Sequence, residues 1–166
     1  FEAPQSPIKD QPFIRTFALI VIGFLAYHVL LTPIFMLVRE AGFPLLRAPI
    51  FEEAFKVFVA AKFLASPSSF RRALLVGSAA GATETIINVL TTYDEMIAIL
   101  ISSFEDLSPW MMYTMIALGV SAKLVLATAG HFFFVYAAAL LARGWNFLTF
   151  LIAATIHYAV NALILA

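Results

Sequence analysis

From Phe13 onward the chain alternates long apolar runs with short polar punctuation, and the runs are of helical rather than strand character. The first, Phe13 to Val38, is interrupted only by Arg15, His28, Thr32 and Pro33. Arg39 to Arg47, with Gly42 and Pro44, reads as a connection. Pro49 suits the first turn of a second helix, where its missing N–H costs nothing, and this helix runs to about Ala65 before Ser66 to Ser69 and Pro67 end it. A third run opens at Arg71 and Arg72 and reaches about Thr92. Tyr93 to Ser108 carries Asp94, Glu95, Glu105 and Asp106 around an apolar middle, which predicts a loop or an interfacial helix.

Trp110 to Ala142 is mostly apolar over 33 residues, and one helix of that length would measure about 50 Å, more than a hydrocarbon core of about 30 Å. A break near Gly119 is therefore expected, with the fourth span starting at about Ser121. Arg143, Gly144 and Asn146 predict a tight turn, and Phe147 to Ala166 forms the last run.

The pattern predicts an all-α integral membrane protein, a polytopic bundle of about five transmembrane helices with a short interfacial helix. Residues 13–166 form one domain behind a polar lead-in, 1–12, that holds Pro4, Pro7 and Pro12. Composition agrees: 63% of the residues are hydrophobic and 12% charged, which excludes an ordinary soluble domain. The period-two alternation of a membrane barrel is missing. With no cysteine there is no thiol nucleophile or thiolate metal site, and a net charge of zero without a basic run excludes nucleic acid as a partner. The partner implied is the lipid bilayer. Across five spans, Lys9, Arg15, Lys62, Arg71, Arg72 and Arg143 share one side, expected to be cytoplasmic, and Arg39, Arg47 and Lys123, near the start of the fourth span, share the other.

Against this background the ionisable residues inside the runs are conspicuous. Ala48 to Lys62, APIFEEAFKVFVAAK, places Glu52, Glu53 and Lys56 within five positions, and each charge at bilayer depth costs a few kcal/mol unless partnered or employed. Glu84 and Asn88 lie four apart on one helical face, as do His157 and Asn161. Counted from the non-cytoplasmic helix ends, Glu52 is roughly 5 Å deep, Glu84 about 12 Å, His157 about 13 Å and His131 about 16 Å. Four polar residues on four helices in one layer can converge on a single cavity, which scattered structural polars have no reason to do. His28, the remaining histidine, is expected to bond a neighbouring helix.

Glu52 and Glu53 point about 100° apart, with Lys56 between them one turn on, so both carboxylates cannot serve one point. Glu52 is assigned to the cavity as the base that takes a proton from water, and Glu53, neutralised by Lys56, to support. His131, His157 and Asn161 could donate hydrogen bonds to an oxyanion; alternatively the histidines with a carboxylate, Glu84 among the candidates, could hold a divalent metal such as zinc, although H-E-x-x-H spacing is absent. Two competing classes are an ion-pair cluster that only orients helices and a proton relay, the latter disfavoured by the lack of internal repeats.

Glu-Glu-x-x-Lys at 52–56, Ala-Thr-Glu at 82–84, Ala-Gly-His at 129–131 and His-x-x-x-Asn at 157–161 together resemble the PrsW family of intramembrane proteases, a branch of the superfamily of CAAX prenyl endopeptidases and bacteriocin-processing enzymes. The likeness covers residues 48–165 in motif order. It implies a multi-pass protein of a prokaryotic plasma membrane that cleaves a membrane-anchored protein substrate, such as an anti-sigma factor. It further implies that Glu52 activates water, with Glu53, Glu84, His131, His157 and Asn161 in the catalytic set and Lys56 and Asn88 supporting. Ala80 stands where the family usually has Phe, and Asn161 where Asp is frequent; the second departure leans toward the prenyl endopeptidases. The alternatives are a CAAX-type prenyl protein endopeptidase or a non-catalytic membrane binding or immunity protein on the same scaffold, and metal dependence stays open.

Overall fold

The computed structural model describes residues 13–40, 47–64, 66, 68–103 and 108–165, and every regular element among them is an α-helix. In order these are α1 (Phe13–Glu40), α2 (Arg47–Lys62), α3 (Ser69–Ser103), α4 (Pro109–Leu141) and α5 (Phe147–Leu165). The polar lead-in, Gly42, Pro44, Pro67, Glu105 and Asp106 lie outside the described residues.

Among the described residues three helices are long and apolar enough to cross a membrane, over Phe13–Ile34, Ser69–Glu95 and Pro109–Leu141, while Phe147–Leu163 is a shorter apolar helix. Side chains of these three helices such as Ile14, Ile22, Leu90 and Leu126 face outward, and large exposed aliphatics of this kind suit contact with lipid. α2, with 16 residues, would measure about 24 Å and is the least apolar of the five. It lies against α1, α3, α4 and α5.

Two expectations are corrected. α3 does not stop near Thr92 for a loop or an interfacial helix but continues through Asp94 and Glu95 to Ser103. Both acids are exposed on the helix surface, where they need no break in the backbone ladder to reach water. α4 does not break near Gly119; it is continuous from Pro109, with Ser108 capping its first turn by accepting a hydrogen bond from Met111 N at 3.3 Å. One helical glycine costs about 1 kcal/mol relative to alanine, too little to interrupt a 33-residue helix.

The principal contact is the antiparallel pair α3·α4, and glycine makes it. A Cβ on Gly77 would stand 2.6 Å from the backbone of Phe132, and one on Gly81 would stand 2.5 Å from the backbone nitrogen of Thr128. Their four-residue spacing puts both on one face, so the two backbones approach as only small residues allow. Ala73, Val76, Ala79 and Ala80 extend that contact into a core with Ile20, Phe24, Val57, Ala60 and Val135.

The helix ends are closed locally. Arg72 donates to the carbonyls of Ser66 (2.5 Å) and Ala60 (3.2 Å), the latter in the last turn of α2. After α4, Gly144 N bonds Ala139 O at 3.0 Å and Arg143 N bonds Leu140 O at 3.2 Å, a Schellman turn with Arg143 at φ 55°. Asn146 and Thr149 then cap α5 reciprocally, at 3.2 and 3.1 Å. The predicted turn at Arg143, Gly144 and Asn146 is therefore present.

Candidate functional site

α2 delivers three ionisable groups to the middle of the bundle in two directions. Glu53 and Lys56, three residues apart, are both fully buried and paired through Glu53 Oε1. Glu52, rotated away from them, is 14% exposed and turns its carboxylate toward α1 and α4. This is the divergence that the helical angle predicts.

The other groups arrive on α3, α4 and α5. His157 on α5 lies with Nδ1 2.8 Å from Glu53 Oε1. A carboxylate only accepts, so Nδ1 carries the hydrogen and Nε2 of the neutral ring keeps its lone pair. His131 on α4 is read the same way: Lys56 Nζ donates to its Nδ1 at 2.9 Å, so Nε2 carries the hydrogen and donates to Glu84 Oε2 on α3 at 3.0 Å. Glu84 Oε1 accepts from Lys123 of α4 at 3.1 Å and from Asn88 at 3.4 Å. A chain of polar contacts thus runs from His157 through Glu53, Lys56, His131 and Glu84 to Lys123. It passes from fully buried groups at Glu53 and Lys56 to 38% and 44% exposure at Glu84 and Lys123.

The close α3·α4 approach is what makes the fourth link, His131 to Glu84. Gly77 lies against His131 and Phe132, and Glu84, seven residues on, sits on the same face of α3 at the level of the His131 ring. His131 and His157 stack edge to face with centroids 5.5 Å apart, and Phe134 packs on both.

Glu52 is held differently. Its Oε1 is 3.7 Å from His28 Nε2 and its Oε2 is 3.8 Å from His131 Nε2, both beyond hydrogen-bond length. The base assigned from the sequence is therefore the one acid of the cluster whose carboxylate approaches its neighbours without a close bond to them. Glu53 Oε2 is buried without a hydrogen-bond partner among the described residues.

Glu52, Glu53, Lys56, Glu84, Asn88, His131 and His157 are all brought into this network. Asn161, one turn beyond His157 on α5, is half-buried and makes no hydrogen bond among the described residues. Two participants were not assigned to the site from the sequence. His28, expected to be structural, lies beside Glu52, and Lys123, expected near a helix end, bonds Glu84.

Of the candidate metal ligands, the geometry groups the two histidines with Glu52. Ligand atoms of Glu52, His131 and His157 lie within 4.8 Å of one another, whereas both oxygens of Glu84 are engaged by Lys123, Asn88 and His131. His157 fits such a role well, because a metal-binding histidine commonly donates its other N–H to a carboxylate, as Nδ1 does here to Glu53. His131 would first have to give up the Nε2 hydrogen it shares with Glu84. Compared with protein-family models, with curated proteins and with solved structures, the chain matches none.

Proposed function

We propose that this chain is an intramembrane endopeptidase that hydrolyses a peptide bond in a membrane-anchored protein, an anti-sigma factor being one such substrate. The reading includes five membrane passes in a prokaryotic plasma membrane. The observation that carries it is the position of Glu52, a partly exposed carboxylate beside His28 and His131, next to a Glu53 whose charge is matched by buried Lys56. A structural carboxylate in such surroundings would be expected to take close hydrogen bonds, as Glu53 and Glu84 do.

In this reading Glu52 accepts a proton from water while the water oxygen attacks the carbonyl carbon of the scissile peptide. The negative charge that develops on the carbonyl oxygen is met by the Nε2 hydrogen of His131, which rotates from Glu84 toward it, and by the amide of Asn161. When the C–N bond breaks, Glu52 returns its proton to the leaving amine. Lys56 holds His131 in the required tautomer by occupying Nδ1, and Glu84 and Lys123 keep the ring aimed between turnovers. A divalent cation held by Glu52, His131 and His157 would supply Lewis-acid polarisation of the carbonyl oxygen.

The test is cleavage of a reconstituted single-span peptide by the wild type and Glu52→Gln, with and without chelator, alongside metal content. Loss on substitution alone gives a glutamate protease, and loss on both gives a metalloprotease. Normal cleavage by Glu52→Gln overturns the proposal. One observation favours a second reading, a non-catalytic binding or immunity protein. The chain from His157 to Lys123 satisfies most of its own charges, as a purely structural cluster would. On that reading substitutions at Glu52 and His131 change stability and leave function intact.

A further inference from the structure

The end of the bundle at which α2 stops and α3 starts collects the basic residues. From the crossing of Gly77 with Phe132, Ser69 and Leu141 lie about 12 and 14 Å along α3 and α4, so α3 begins at the level where α4 ends. From the hydrogen bond of Tyr27 to the Phe51 carbonyl, Arg15 and Lys62 lie about 18 and 17 Å along α1 and α2, on one side of it. Arg72 joins the two pairs through the carbonyls of Ser66 and Ala60. Lys62, Arg71, Arg72 and Arg143 therefore come to one level, with Arg15 at the same end. Among the described residues no aspartate or glutamate lies there: Glu52, Glu53 and Glu84 are in the site, Glu40 ends α1, and Asp94 and Glu95 are toward the far end of α3. Lys62, Arg71 and Arg143 are exposed and form no ion pair among the described residues.

Two further observations indicate what these cations meet. Phe63, Phe70 and Phe147 expose their rings at the same level, and the apolar spans of α3 and α4 begin at Ser69 and stop at Leu141. Exposed rings among exposed cations suit a membrane interface, where the rings meet acyl chains and the cations meet headgroups. Arg143, moreover, holds the left-handed φ of 55° although Gly144 follows it directly. A side chain is disfavoured in that conformation, and strain kept at one position points to a task for the side chain. A guanidinium fork matches two oxygens of a phosphate. We propose that this end of the bundle binds the phosphate groups of anionic phospholipids, with Arg71 and Arg143 as the principal contacts and Lys62 adding charge. The proposal goes beyond the endopeptidase reading and does not depend on it.

Thermal unfolding in nanodiscs tests it, with phosphatidylcholine alone and with about a third of it replaced by phosphatidylglycerol, at low salt. The anionic lipid should raise the Tm of the wild type by about 3 °C or more. Arg71→Gln and Arg143→Gln should each lose part of that shift and the double variant most of it, while Arg47→Gln, at the opposite end of α2, should keep it. Arg143→Gly gives the sharper contrast. Relief of strain should raise its Tm over the wild type in phosphatidylcholine, and in the mixture that gain should vanish or reverse. No shift in the wild type, an equal shift in the double variant, an equal loss in Arg47→Gln, or an undiminished gain in Arg143→Gly overturns the proposal. A Tm shift of the same size from millimolar inorganic phosphate in phosphatidylcholine discs would assign the cations to a soluble anion and overturn the lipid. Lipid phosphorus retained after washing in neutral detergent is the second readout. It should fall at least about twofold in the double variant, and equal retention overturns the contact.

Discussion

Lys56 donates to Nδ1 of His131 from 2.9 Å while paired with Glu53, so one buried ammonium both neutralises the supporting acid and dictates which nitrogen of the histidine carries the hydrogen. Removing it leaves a fully buried carboxylate without its cation. Lys56→Met should therefore destabilise by about 3–5 kcal/mol, a fall in Tm of roughly 10 °C for a chain of this size. Adding Glu53→Gln to Lys56→Met should restore part of the loss, read by thermal unfolding in detergent.

Glu52 carries no comparable structural duty, since neither oxygen makes a close hydrogen bond to the histidines beside it. Glu52→Gln should keep the Tm within a few degrees while lowering kcat by a hundredfold or more, in line with loss of a general base. Parallel unfolding and peptide-cleavage assays check both halves. A large loss of stability would return Glu52 to a structural role.

At Gly81 a methyl group meets backbone rather than a movable side-chain tip, at 2.5 Å from Thr128 N. Gly81→Ala should force α3 and α4 apart and cost about 1–3 kcal/mol, despite alanine being the better helix former. At Gly119 on α4 an added Cβ would have nothing within 4 Å of it, so Gly119→Ala should instead raise stability by up to about 1 kcal/mol. The pair of Tm values tests the close contact against plain propensity.

Arg143 occupies the left-handed position of the Schellman turn that glycine ordinarily fills. Arg143→Gly should raise stability by about 1 kcal/mol, because a side chain at φ 55° carries strain that glycine lacks. Chemical or thermal unfolding would show it, and a decrease would mean that the arginine side chain contributes more than the strain costs.

Metal loading distinguishes Glu52 from Glu84. If a divalent ion binds, Glu52→Ala, His131→Ala and His157→Ala should each lower the metal retained after dialysis by at least about tenfold, and Glu84→Gln should lower it less. Elemental analysis of the purified variants decides between the ligand sets.

The convergence of α2, α3, α4 and α5 was legible because intramembrane charge is costly and depth along a helix can be counted from its ends. Glu53 and Lys56 were also readable as a pair, since three residues on a helix bring side chains together. For His28 a neighbour on another helix was expected, but not which one, because nothing in α1 marks the face that meets Glu52. Lys123 was missed through the expected break at Gly119, which put it at a helix end. The same assumption, that a helix stops where its span does, cut α3 short at Thr92 although nothing in Tyr93–Ser103 breaks a helix. Chain length alone does not say where a helix leaves the bilayer.

The burial of Lys56 has a consequence for biogenesis. Its partner His131 is 75 residues further along the chain, and His157, which bonds Glu53, lies 104 residues beyond that glutamate. While α2 is being synthesised neither exists, and 16 residues bearing five charges have no reason to enter lipid unaided. α2 should therefore wait at the membrane surface or within the insertion machinery until α5 is made, so that the site closes as the last step of assembly.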